Sequence, residues 1–254
     1  MRILGRRRAW PAVIIACGAI VLGLSSALKA APREWPGSAP STDRLDEPFG
    51  LFVSGLSTGG GVVKKWAEVE RQIEDDRVQL ALCDGDSDRC VSPAALRLLA
   101  IVDQARARQG RARLGEVNRA INLAIRPMSD LAQYGQIDVW SSPLSTFTHG
   151  AGDCEDYAIA KFAALQMAGI AADDLRIVIL RDTLRGEDHA VAAARLDGHW
   201  LMLDNRHMAM VEDVDITHYQ PLFVLDASGV MKYLDAPLMA NLPGQPTPGS
   251  IDDF

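Results

Sequence analysis

Between Asp153 and Ala168 the chain is apolar on nearly every side, with only Lys161 and Gln166 interrupting the run after Tyr157. A helix of that composition has no polar face to offer water, so the rest of a domain must enclose it. Gly169 follows as its C-terminal cap. The hydrophobic period then shortens. Leu175 to Leu180, His189 to Leu196 and His199 to Leu203 read as strands, followed by Leu222 to Leu225 and Val230 to Tyr233. Upstream, the spacing predicts a helix over Val62 to Arg77, with Val62, Trp66, Val69 and Ile73 on one stripe. Two more are expected over Pro93 to Arg108, with Pro in the first turn, and over Leu114 to Ile125, stopped by Pro127. Helices first and strands later predict an α+β domain, its helices packed on an antiparallel sheet. The domain is placed at residues 50–235, between a flexible linker at 31–49 and a disordered tail at 236–254 rich in Pro and Gly. The Gly59-Gly60-Gly61 run lacks the Lys-Ser/Thr of a phosphate loop and reads as a turn.

Arg2, Arg6, Arg7 and Arg8 precede an apolar run from Ala12 to Leu28, and small residues follow at Ala27, Ala30 and Ala31. Residues 1–30 therefore read as an export signal, with an uncleaved inner-membrane anchor as the alternative. Losing them would remove five cations and no acid, moving the formal net charge from −7 to −12 over 224 residues. A chain so acidic, with no compact basic stripe, argues against nucleic acid as a partner.

Export changes how the cysteines are read. Cys83 and Cys90 flank the polar loop Asp84-Gly85-Asp86-Ser87-Asp88-Arg89 and are spaced to close a small disulfide. The acids of that loop lack the closing glutamate of a calcium loop. Cys17 lies in the signal, so Cys154 has no partner, and an odd thiol in an exported protein is either a liability or a reagent. Cys154 stands where the buried helix should begin, in Gly152-Asp153-Cys154-Glu155-Asp156-Tyr157-Ala158. Helix-terminal N–H groups would favour a thiolate there and could stabilise an oxyanion, with Trp140 as a second oxyanion donor. The plainer reading is a small buried hydrophobe at a helix start.

A cysteine nucleophile needs a base and a group to orient it. Asp197-Gly198 is a two-residue hairpin signal, under which facing residues have numbers summing to 395. Val191 then opposes Asp204, and His189, two residues along, shares its face at a diagonal distance of about 7–8 Å. His149, His199, His207 and His218 fall on loops or beside the turn. Asp153, Glu155 and Asp156 should push the Cys154 pKa upward. They either complement the helix dipole or hold a hard cation such as Ca2+, and the residues leave both readings open. No standard zinc spacing is present.

These segments resemble the bacterial transglutaminase-like cysteine proteinases. The likeness is carried by Gly152 through Lys161, then Asp188-His189-Ala190-Val191, then Leu203-Asp204-Asn205. Lys65-Trp66, Val117-Asn118 through Asn122, and Asp138-Val139-Trp140-Ser141-Ser142-Pro143 fit as well, so that it spans roughly residues 50–226. The resemblance implies a papain-like/transglutaminase-like fold, with Cys154 as nucleophile, His189 as base and Asp204 as orienter. It also implies calcium held by Asp153, Glu155 and Asp156 beside the active site. The expected activity is periplasmic cleavage of the N-terminal region of a large surface adhesin, at paired alanines. The expected consequence is biofilm release, restrained by an inner-membrane cyclic di-GMP receptor. Competing expectations are a transglutaminase or amidase acting on another exported protein or cell-wall peptide, and a non-catalytic binding module of the same fold.

Overall fold

The computed structural model describes residues 46–56 and 60–234; the expected export signal or anchor, most of the expected linker and the expected tail fall outside the described residues. In chain order the elements are β1 (Val53–Gly55), α1 (Gly61–Gly85), α2 (Pro93–Arg106), α3 (Gly110–Ala124), β2 (Arg126–Pro127), α4 (Asp130–Tyr134), α5 (Pro143–His149), β3 (Ala151–Gly152) and α6 (Cys154–Met167). The strands β4 (Leu175–Asp182), β5 (Glu187–Leu196), β6 (His199–Leu203), β7 (Val211–Glu212), β8 (Tyr219–Asp226) and β9 (Gly229–Tyr233) follow. Seven strands form one antiparallel sheet in the order β1-β9-β8-β4-β5-β6-β7. The helices-then-strands reading therefore holds. Among the described residues, no helix is long and apolar enough to cross a membrane.

α6 is the central helix its composition demanded, with Tyr157 through Leu165 all buried. It lies on β5 and β4, where Ala190, Ala192 and Ala194 present short side chains. Ala158, Ala160 and Ala164 on the helix are equally short, so the two backbones can approach closely. Trp66 of α1 meets Phe162 edge to face at 5.7 Å, closing the core from the other side.

α1 runs eight residues beyond the expected end at Arg77. The charged stretch Glu74 to Arg77 hid the continuation of its apolar stripe to Leu80 and Cys83. Cys83 is bonded to Cys90, which ties the end of α1 to the start of α2. Closing so short a loop stabilises the fold by about 2.5 kcal/mol through the unfolded chain.

The linker boundary needs correction. Residues 46–49, expected to be flexible, pack across the sheet face that α6 does not cover. Glu47 is buried and takes both arms of Arg176, at 2.6 and 2.9 Å. Arg195 pairs with Asp46, and Trp200 donates its indole N–H to the Asp46 carbonyl at 3.0 Å. Composition marked this stretch as linker because its partners lie more than a hundred residues away. Glu47→Ala would leave the buried Arg176 guanidinium without its bidentate partner. A loss of about 3–5 kcal/mol in urea unfolding is expected. A loss below about 1 kcal/mol would mean the strap is not part of the folded unit.

Candidate active site

The β5–β6 hairpin has the expected register, with Leu196 facing His199 and Ala192 facing Leu203. Asp197 and Gly198 both take positive φ, 53° and 86°, as that two-residue turn requires. His189 and Asp204 consequently share a sheet face, and His189 Nε2 lies 3.0 Å from Asp204 Oδ1. Both are buried. The Arg206 backbone N–H donates to the same Oδ1 at 2.9 Å, and Tyr219 Oη donates to Oδ2 at 2.6 Å. His207 Nδ1 is 3.2 Å from Oδ2. Burial alone would raise an aspartate. The hydrogen bond and charge of His189, then Tyr219 and the Arg206 N–H, outweigh it and hold the Asp204 carboxyl well below the usual carboxylate range. The other ring nitrogen, His189 Nδ1, is buried without a hydrogen-bond partner.

Cys154 is the first residue of α6, so its N–H has no acceptor within the helix. Among the described residues it is the free cysteine, half-buried. The backbone N–H of Ala190, the residue next to His189, lies near enough to the sulfur to act against its upward pKa shift, which brings the thiol beside the histidine strand. The thiol also donates to Glu155 Oε2 at 2.8 Å. Burial first, and the Glu155 carboxylate second, push its pKa far up, offsetting the helix terminus. That upward direction is the one expected from the acids beside Cys154. Cys154 opens onto a groove of about 380 Å³ whose lining includes Met128, Ser129, Gly152, Glu187, Asn205 and Arg206.

The carboxylates that converge are Asp130, Asp153 and Asp156, each offering an oxygen within 4.8 Å of the others. Asp130 was not legible as a partner, because nothing in its local pattern marks it and it arrives from α4. Glu155, also expected in the cation set, accepts from the Cys154 thiol through Oε2 and remains a charged neighbour of Asp153 and Asp130. One oxygen of each of the three aspartates is buried with no hydrogen-bond partner: Asp130 Oδ1, Asp153 Oδ1 and Asp156 Oδ2. Three converging orphan oxygens suit a hard divalent cation, which prefers carboxylate ligands. Dipole complementation alone would leave such acids solvated, so the arrangement fits calcium. Burial, with the charges of its acidic neighbours adding, raises Asp153 to about 9 and Asp156 to about 7.

Gly152 makes this packing possible. A Cβ there would stand 2.5 Å from Asp156 Oδ2 and 2.7 Å from its Cβ. Gly152→Ala is therefore expected to move Asp156 and weaken calcium binding at least about tenfold, read by calorimetry. Unchanged affinity would show that Asp156 is not a ligand.

Trp140 lies in the loop before α5, with its indole N–H donated to Asp138 Oδ1 at 3.0 Å. The second oxyanion donor expected there is thus already engaged. Lys65 pairs with Asp138 and sits 5.7 Å from the Trp140 ring, bracing that loop against α1.

The family of bacterial transglutaminase-like cysteine proteinases (BTLCP) matches residues 79–228. The chain belongs to that family. Legionella pneumophila LapG is similar in structure, at 22% identity and a TM-score of 0.51, covering 61% of this chain and 86% of the other. Its calcium-bound form gives 21% identity and a TM-score of 0.51, covering 63% and 87%. The EGTA-treated form gives 21% and 0.52, covering 63% and 86%. Comparison with curated proteins gave no match. The chain is a transglutaminase-like cysteine proteinase in family and in fold.

Proposed function

We propose that this protein is a calcium-dependent periplasmic cysteine endopeptidase that cuts the N-terminal region of a large surface adhesin. We further propose that an inner-membrane cyclic di-GMP receptor restrains it and so controls biofilm release. The observation that carries the catalytic part is the buried His189–Asp204 pair, 3.0 Å apart, with Ala190, the residue next to His189, beside the Cys154 sulfur.

The chemistry follows from that arrangement. Asp204 accepts the Nε2 proton of His189, which leaves Nδ1 as the basic nitrogen. Nδ1 takes the Cys154 proton as the sulfur attacks a peptide carbonyl. The Cys154 N–H, at the helix start, donates to the developing oxyanion. The imidazolium then protonates the departing amine, leaving a thioester. His189 next removes a proton from water, which attacks the thioester and releases the acid and the thiol. Asp130, Asp153 and Asp156 would hold the calcium ion. Bound there, calcium would supply fixed positive charge that neutralises the acids flanking the nucleophile.

The adhesin and the receptor come from the family resemblance and the likeness to LapG, not from a feature of the groove. The test is to incubate the purified protein with a recombinant adhesin N-terminal region, with calcium, with EGTA, or after iodoacetamide treatment. A discrete cut, located by mass spectrometry and absent in the last two conditions, is expected. Incorporation of a labelled amine without cleavage would replace this reading with a transamidase.

A further inference from the structure

Lys161 is the one charged residue inside the apolar wall of α6, and it is fully buried. It lies two turns along the helix from Cys154, on the same face. Its ammonium donates to the Leu203 carbonyl at 3.0 Å and stands 5.8 Å from the Tyr157 ring centroid. Leu203 is the last residue of β6 and immediately precedes Asp204. The next carbonyl is held as well. Asn122, on α3, donates from Nδ2 to the Asp204 carbonyl at 2.9 Å and to the His207 carbonyl at 3.1 Å. Asn118, one turn earlier on the same face, holds the carbonyls of His207 and Met208 at 3.2 and 3.1 Å.

We propose that Lys161 and Asn122 form a two-sided backbone clamp that positions Asp204, and through it the His189 imidazole, relative to the nucleophile carried on the Lys161 helix. The inference rests on the catalytic reading above. Asp204 lies past the end of the β5–β6 ladder, so strand pairing does not hold its peptide groups. Side chains from two different helices hold the carbonyls on both sides of its Cα instead. An ammonium inside an apolar core is costly. Burial lowers Lys161 to about 7, with Asp204 acting in the opposite direction. A core-filling role would be served better by leucine or methionine, which removes that cost. What lysine adds is reach and a donor at a defined atom.

Lys161 and Asn122 touch no reacting atom, so they are positioning residues. The readout should require no known substrate. The rate of Cys154 alkylation by iodoacetamide against pH, in the calcium-loaded full-length protein, reports the thiol–imidazole pair. The charged neighbours of that pair are Glu155 and Asp153 beside the sulfur, and Asp204, Arg206, His207 and Tyr219 beside the ring. All are unchanged in the variants compared. His189→Ala is the control for the parent reading. If it leaves the profile as in wild type, the His189–Cys154 pair itself is wrong.

If His189→Ala alters the profile, Lys161→Met and Asn122→Ala are each expected to slow alkylation at neutral pH by about 10–100-fold and to displace the profile. The double variant should lose less than the product of the two. Lys161→Gln, which keeps a donor, should recover part of the rate. Folded single variants with the wild-type profile would overturn the clamp. Should Lys161→Met fail to fold, Asn122→Ala and Lys161→Gln decide by the same criterion.

Discussion

Cys154→Ala is expected to abolish cleavage completely while changing the unfolding free energy by no more than about 1 kcal/mol. The substitution removes one sulfur and its hydrogen bond to Glu155 from the rim of a groove, and leaves α6 and its core packing intact. Asp204→Asn should be nearly as severe for turnover, lowering kcat about 10³–10⁴-fold, because an amide can present a donor to Nε2 and favour the wrong imidazole tautomer. The two variants separate on acid titration. The Asp204 carboxyl is held well below its unfolded value of about 3.9. Its stabilising contribution is therefore full above about pH 5 and is lost as pH falls below about 4. Cys154→Ala should keep that acid transition, and Asp204→Asn should lose its share of it. Residual turnover by Cys154→Ala above background would remove the sulfur from the mechanism.

Calcium is expected to stabilise the protein strongly, and more so at higher pH. Without the ion, Asp130, Asp153 and Asp156 are all raised, burial being the largest cause and neighbouring acids adding to it. The folded state then holds protons that the unfolded chain has released. Stability without calcium should therefore fall as pH rises from about 4 through the raised values near 7 and 9. Calcium needs the ionised forms, so its binding releases protons and strengthens over the same range. At about a hundred times Kd the ion contributes about 2.7 kcal/mol. For a domain of this size that is a rise in Tm of about 5–10 °C. Scanning calorimetry at pH 6 and pH 8, with calcium or with EGTA, checks both the size and the sign. Equal midpoints in calcium and EGTA at pH 8 would mean that the three aspartates hold no calcium.

The order and type of the long elements were legible because hydrophobic period is a local property. α6 and β4 to β6 fall within a few residues of their expected ends. The His189–Asp204 pair was legible for a stronger reason. A two-residue turn fixes strand register, and register fixes which side chains share a face. What local pattern could not carry was convergence from distant segments. Asp130 arrives from α4, Tyr219 from β8, Glu47 from the strap and Asn122 from α3, and each meets its partner through folding rather than spacing. Glu155 was legible as an acid beside Cys154, but its acceptance of the thiol proton was not, because that depends on side-chain direction at the first turn of a helix. Lys161 was visible as an interruption and as the end of the family-like segment, but its role was not, since its acceptor is a backbone carbonyl and no residue pattern marks one.

The covalent bridge between α1 and α2 has an analytical consequence. With two sulfurs locked together, the described part of the molecule keeps a single reactive one, at the mouth of the groove. In a purified sample of the described part, a maleimide or alkyl-halide dye would therefore count intact nucleophile directly. The same economy exposes the protein to oxidants, because one peroxide equivalent at that sulfur would silence the whole molecule.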